Sequence, residues 1–148
     1  MGINFFDTVF VLFFGAVVGS FLNVVIIRLK TGRTIVQGRS MCMSCGKQLA
    51  WFELIPVVSY LFLKGRCSGC KAEVSFQYPV VEWGTAILFF IAYGVVFSNP
   101  LNNGLAPLLF LWIQIALLVV ISGYDIRHKI IPEGPLYVLA IVAIIKTI

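Results

Sequence analysis

The chain has 148 residues, 60% hydrophobic and 11% charged, with a net charge of +5 at pH 7. A soluble domain carries about 25% charged residues, so this composition excludes a water-facing enzyme, a disordered tail and a disulfide-rich secreted module. It leaves an integral membrane protein, and the basic balance then reports topology rather than nucleic-acid binding.

Residues 9–27 come first, an apolar run without a charge. About 20 apolar residues cross the roughly 30 Å of bilayer hydrocarbon, so this run predicts a transmembrane helix. No Lys or Arg precedes it, unlike a secretory signal peptide. Asn23, polar at membrane depth, is expected to face protein rather than lipid.

The loop 28–77 follows, with 8 of the 11 Lys and Arg against only Glu53 and Glu73. It holds all four cysteines, as Cys42-Met43-Ser44-Cys45 and, later in the same loop, Cys67-Ser68-Gly69-Cys70. Each pair forms a knuckle that presents two thiolates, and two knuckles compose a four-cysteine zinc site of ribbon type. Gly46 can take the positive φ that such a turn needs. A reducing compartment disfavours disulfides; four reduced cysteines that bind nothing are the alternative. Residues 54–63 are too short to span. Followed by Lys64 and Arg66, they read either as a short helix on the cytoplasmic membrane face or as the core of the zinc module. Glu53, just ahead of them, reads as solvated.

A second span covers residues 79–97, with Glu82 in its first turn, where the helix dipole favours an anion. The connector 98–103 has no charge, and the third span, 104–124, has none either. The loop 125–135 carries Asp125, Arg127, His128 and Lys129. His128 reads as a headgroup contact, Trp51 and Trp83 as interfacial anchors, and Trp112 as packing. A last run, 136–148, is shorter than the others and reaches only about 20 Å. It reads as a truncated fourth helix of a shortened product or fragment, with a re-entrant or interfacial helix as the alternative. Basic residues mark cytoplasmic loops, so the amino terminus and 98–103 lie outside, and 28–77 and 125–135 lie inside. The prediction is an all-α integral membrane protein. It has three full transmembrane helices, a truncated fourth, and a cytoplasmic four-cysteine zinc-knuckle loop after the first.

Five blocks, in order between residues 15 and 135, resemble the bifunctional type IV prepilin peptidases (leader peptidase and N-methyltransferase). Gly19-Ser20-Phe21-Leu22-Asn23-Val24-Val25-Ile26-Ile27-Arg28-Leu29 resembles that family's GSFLNVVIxRL opening. Cys42-x-x-Cys45-Gly46 resembles its CPxCG, with Met43 in place of the proline. Leu54-Ile55-Pro56-Val57-Val58-Ser59-Tyr60-Leu61, Gly65-Arg66-Cys67-x-x-Cys70 and Tyr78-Pro79-Val80-Val81-Glu82 resemble its LIPxxSYL, GRCxxC and YPxVE.

The resemblance implies an inner-membrane enzyme that removes the basic leader of type IV prepilins or type II secretion pseudopilins on the cytoplasmic side. It then methylates the new amino terminus with S-adenosylmethionine. Residues 1–77 would belong to the methyltransferase-like region and 78–148 to the start of a membrane aspartic peptidase. Asp125 maps onto the first catalytic aspartate. The second belongs to a Gly-x-Gly-Asp block, which these 148 residues do not contain; their only other aspartate is Asp7, expected at the opposite membrane face. Glu53 and Glu82 are weak candidates for cofactor binding, since no Gly-rich fingerprint marks a pocket. A membrane module that uses its zinc knuckles to bind a protein partner is the competing reading. Neither reading requires nucleic acid, and both leave room for a homo-oligomer.

Overall fold

A computed structural model of the chain describes residues 4–29, 38–99 and 104–147. Lys30 and Arg33 of the basic loop, residues 100–103 of the connector and Ile148 lie outside them. The helices are α1 Phe5–Arg28, α2 Val58–Phe62, α3 Gln77–Ser98, α4 Leu105–His128 and α5 Glu133–Thr147, with a 3-10 turn at Trp51–Leu54. Among the described residues there is no strand, only two isolated bridges.

α1, α3 and α4 are long and apolar enough to cross a membrane. At about 1.5 Å per residue, 22 to 24 residues span about 33 to 36 Å. Apart from α2, each helix starts where proline or an extended residue permits it. Pro79, Pro107 and Pro135 sit in first turns, where no amide partner is lost. Large apolar side chains such as Phe10, Phe13, Phe21, Ile91, Val95 and Ile113 stay exposed. In water these faces would aggregate; in lipid they are solvated. The chain is a multi-pass membrane protein.

Small residues set the packing of α1 on α3, which run antiparallel. A Cβ on Gly15 would lie 2.7 Å from Ala86 Cα, and one on Gly19 2.7 Å from Glu82 Cα. One turn further on, Asn23 Nδ2 donates to the Tyr78 carbonyl at 3.1 Å and to the Gly19 carbonyl at 3.4 Å. Asn23 is 1% exposed, facing protein as its polarity demands. α4 runs parallel to α1. Its Trp112 stacks on Phe89 at 4.8 Å and donates Nε1–H to the Phe89 carbonyl, and Ile26 fills the space over Gly123.

This arrangement sorts the ends of the bundle. Asp7, which lies near Tyr93, marks one end together with Ser98 and Gly104. Arg28, the cysteine loop, Gln77 and Asp125 mark the other. The ends of α1, α3 and α4 therefore alternate between the two sides of the bundle.

The boundaries differ from those expected. α1 begins at Phe5, ahead of residue 9, because Asp7 and Thr8 sit in its first turns, Thr8 bonding back to the Asn4 carbonyl. α4 continues past Tyr124 to His128, so Asp125 is helical rather than in a loop. Charge ends the apolar run but not the helix. The fourth helix starts at Glu133 rather than residue 136.

Candidate metal centre and carboxylates

The two cysteine pairs fold as a structural repeat, in which Cys42 corresponds to Cys67 and Cys45 to Cys70. In the first, Cys42 N–H donates to the Lys47 carbonyl at 2.9 Å, Gly46 N–H to the Cys42 carbonyl at 2.9 Å, and Leu49 N–H to the Ser40 carbonyl at 2.9 Å. In the second, Cys67 N–H donates to Ala72, Lys71 N–H to Cys67, and Val74 N–H to Gly65, at 2.9, 3.1 and 2.8 Å. Bridges pair Met41 with Gln48 and Arg66 with Glu73. The equivalent hinge positions are Gly46 at φ +71° and Lys71 at φ +60°. Gly46 takes the conformation expected of it. Lys71 takes it without glycine's freedom.

The repeat brings Cys42, Cys45, Cys67 and Cys70 together, with all four Sγ atoms within 4.8 Å of one another. Four thiolates at about 2.3 Å from one tetrahedral ion would be about 3.8 Å apart. Cys42 Sγ and Cys70 Sγ are 3.8 Å apart, so the donor set fits such an ion. The thiols are unequal. Backbone N–H groups of Cys45 and Ser44 hold Cys42 down at about 6. The Ala72 N–H favours the Cys70 thiolate, but the neighbouring thiols, Cys45 first, and burial outweigh it and push Cys70 up to about 11.

Glu53 is 8% exposed, and this overturns the expectation of a solvated side chain. It closes the 3-10 turn, where its Oε2 accepts the Ala50 N–H at 2.8 Å, one half of a capping box. Lys47 Nζ donates to both oxygens at 3.2 and 3.3 Å, and the Ser68 hydroxyl donates to Oε1. The Ser68 bond, then the Ala50 N–H and the Lys47 charge, hold the Glu53 carboxyl below the usual range. Sequence reasoning missed Lys47 and Ser68. The available signal was that each lies close to a cysteine in the chain.

Glu82 is 6% exposed and lies against α1. Its Oε2 accepts the Val57 N–H at 2.6 Å. Of the interfacial run, only the stretch 58–62 is α-helical, and none of its residues is buried. Phe62 is 83% exposed, which favours the membrane-face reading over a zinc-module core.

Asp125 stands exposed in the last turn of α4, and its carboxylate has no hydrogen bond or ion pair among the described residues. Beside it, buried Tyr124 packs on His128 at 4.4 Å. Lys129, in the left-handed conformation, donates its N–H to the Asp125 carbonyl at 2.6 Å and ends the helix. The structure places Asp125 at the same end of the bundle as the four cysteines and Asp7 at the other.

A family model described as the bacterial peptidase A24 N-terminal domain matches residues 13–96, more than half of the chain. The chain belongs to this family. The match takes in most of α1, both knuckles and nearly all of α3 of this A24 N-terminal domain. Three similar proteins are each named prepilin leader peptidase/N-methyltransferase. The one from Myxococcus xanthus is 42% identical over 84% of this chain and 35% of its own length. Those from Bacillus subtilis and Klebsiella pneumoniae are 38% and 35% identical, each over 81% of this chain and over 46% and 53% of their own lengths. The A24 chain thus spans a third to a half of the curated relatives it matches. No solved structure matches it.

Proposed function

We propose that this chain carries the amino-terminal part of a prepilin leader peptidase and N-methyltransferase of the bacterial inner membrane. It would act on prepilins or pseudopilins, with its amino terminus outside and its cysteine loop in the cytoplasm. The observation that carries the proposal is the family match over the two-knuckle loop and the helices it joins. Residues 1–77 are assigned to the methyltransferase-like region and 78–148 to the start of the peptidase.

The four cysteines are proposed to hold one structural zinc ion, for which their count and spacing are suited. The relatives' names include N-methyltransferase, and S-adenosylmethionine is proposed as the donor that would supply the methyl group for the new amine. Glu53 and Glu82 remain the residues proposed for its neighbourhood, and each already accepts bonds from the protein's own donors.

For the peptidase, hydrolysis needs two carboxylates that share a proton. One, ionised, activates water, and the other protonates the carbonyl or the leaving amine. Asp125 is proposed as the first, being exposed and without a carboxylate partner among the described residues. Its partner is proposed to come from a Gly-x-Gly-Asp block. The test is leader cleavage of a prepilin by a chain that carries both aspartates. There Asp125→Asn should lower the rate about 10²-fold or more, whereas Glu133→Gln should leave it unchanged. Cleavage that survives Asp125→Asn would reject the role of Asp125. No cleavage by the unsubstituted chain would favour a partner-binding zinc module.

A further inference from the structure

We infer that Glu53, together with Lys47 and Ser68, braces the two knuckles in register and so prepositions the four thiolates for an ion. The inference rests on the reading of the cysteines as a metal site. It makes Glu53 a positioning residue that acts on the knuckles through its bonds to Lys47 and Ser68 rather than through a thiol.

The brace spans the two halves of the repeat. Lys47 belongs to the first knuckle, just past Cys45, Ser68 directly follows Cys67, and Glu53 belongs to the turn between the knuckles. Lys47 Nζ also donates to the Ser68 hydroxyl, so the three side chains close a ring of bonds. The stem of Lys47 lies over the second knuckle, where a Cβ on Gly69 would be 3.1 Å from Lys47 Cδ. Among the described residues, backbone bonds shape each knuckle separately and none joins one to the other. These three side chains supply a polar link between them. The link is one-sided, because the repeat-equivalent positions Met43 and Ala72 carry no polar group.

A buried carboxylate persists when its charge is paired and its lone pairs are bonded. Glu53 meets both conditions before any metal arrives. Two knuckles tethered only by a flexible segment would have to be ordered by the metal, and its binding free energy would be reduced accordingly. Knuckles already in register lose less on binding.

The experiment uses the purified chain in detergent. Zinc affinity is read by competition with a chromophoric chelator, and thiolate geometry by the absorption of the cobalt(II)-loaded protein. Glu53→Gln and Ser68→Ala should each weaken zinc about 10- to 100-fold with one ion still bound. Ser68→Thr, which keeps the hydroxyl, should restore affinity. The double variant should lose little more than either single one, because the groups act as a unit. The cobalt spectrum should remain that of four thiolates. If Glu53→Gln does not fold, Lys47→Met and Ser68→Ala carry the same test. Affinities within about twofold of the unsubstituted chain (a ΔΔG below about 0.5 kcal/mol), or weakening that Ser68→Thr does not restore, would overturn the brace alone. An unsubstituted chain that binds no zinc would overturn the metal reading and the brace together.

Discussion

The carboxylate of Glu82 holds the N–H of Val57 at 2.6 Å, and so fastens the cysteine loop to the second turn of α3. Val57 sits at φ +61°, ψ −48°, and Val58 N–H closes the turn onto the Pro56 carbonyl at 2.5 Å. This is the rare γ-turn of positive φ. In a β-branched residue such a conformation is a true outlier, at a cost on the order of 1–3 kcal/mol. It persists because a buried acceptor is aimed at the amide that the turn presents. The same bond holds the residue from which α2 begins.

Glu82→Ala should therefore release the loop while the spans stay assembled. Hydrogen exchange at the Val57 amide should speed up about tenfold, in keeping with the roughly 1–3 kcal/mol that a buried N–H left without its acceptor costs. Glu82→Gln keeps an acceptor and should retain most of the protection. Unchanged exchange in Glu82→Ala would show that other contacts hold the turn.

A pair of glycines separates close helix packing from helix propensity. Gly19→Ala would bring a methyl to 2.7 Å from Glu82 Cα, whereas a Cβ at Gly84 meets nothing within 4 Å. The first should lower thermal stability in detergent by about 1–3 kcal/mol. The second should be neutral or slightly stabilising, since alanine is the better helix former. Equal effects would mean that α1 and α3 can separate at little cost.

The knuckle repeat makes an asymmetric prediction. Gly46→Lys should destabilise the loop by about 1 kcal/mol, because lysine is strained at φ +71°. Lys71→Gly should not destabilise it, since it removes a comparable strain at φ +60° and loses it again in part to unfolded-state entropy. Resistance of bound zinc to a chelator reads both.

Zinc binding should depend on pH in two regimes. Cys70, pushed up to about 11, is protonated in the metal-free loop at neutral pH, whereas Cys42, held at about 6, has already ionised. A thiol must lose its proton to ligate. Affinity should therefore rise with pH through neutrality, and should fall more steeply below about 6, where Cys42 also takes up a proton. Calorimetry at pH 7.5 in buffers of different protonation enthalpy should show proton release, reduced by about one in Cys70→Ser. An affinity that does not change between pH 6.5 and 8.5 would contradict this.

What the sequence determined by itself was whatever depends on local length and spacing. Three spans were legible because partition into lipid scales with a run of apolar residues. The sulfur cluster was legible because C-x2-C spacing already commits two thiolates to one turn, and Gly46 announced its own φ. Asn23 was legible too, since an amide at membrane depth must face protein. The tertiary structure alone decided the rest. It set which polar atoms meet: Glu53 with Lys47 and Ser68, Glu82 with Val57, Asn23 with the Tyr78 carbonyl. It placed Gly15 and Gly19 against α3 and Gly123 under Ile26, and it carried α4 beyond its apolar run, so that Asp125 ended on a helix. Hydropathy records how a residue partitions between water and lipid. It is indifferent to the partner a buried donor or acceptor finds, and that choice is made only when distant backbones approach within hydrogen-bond reach.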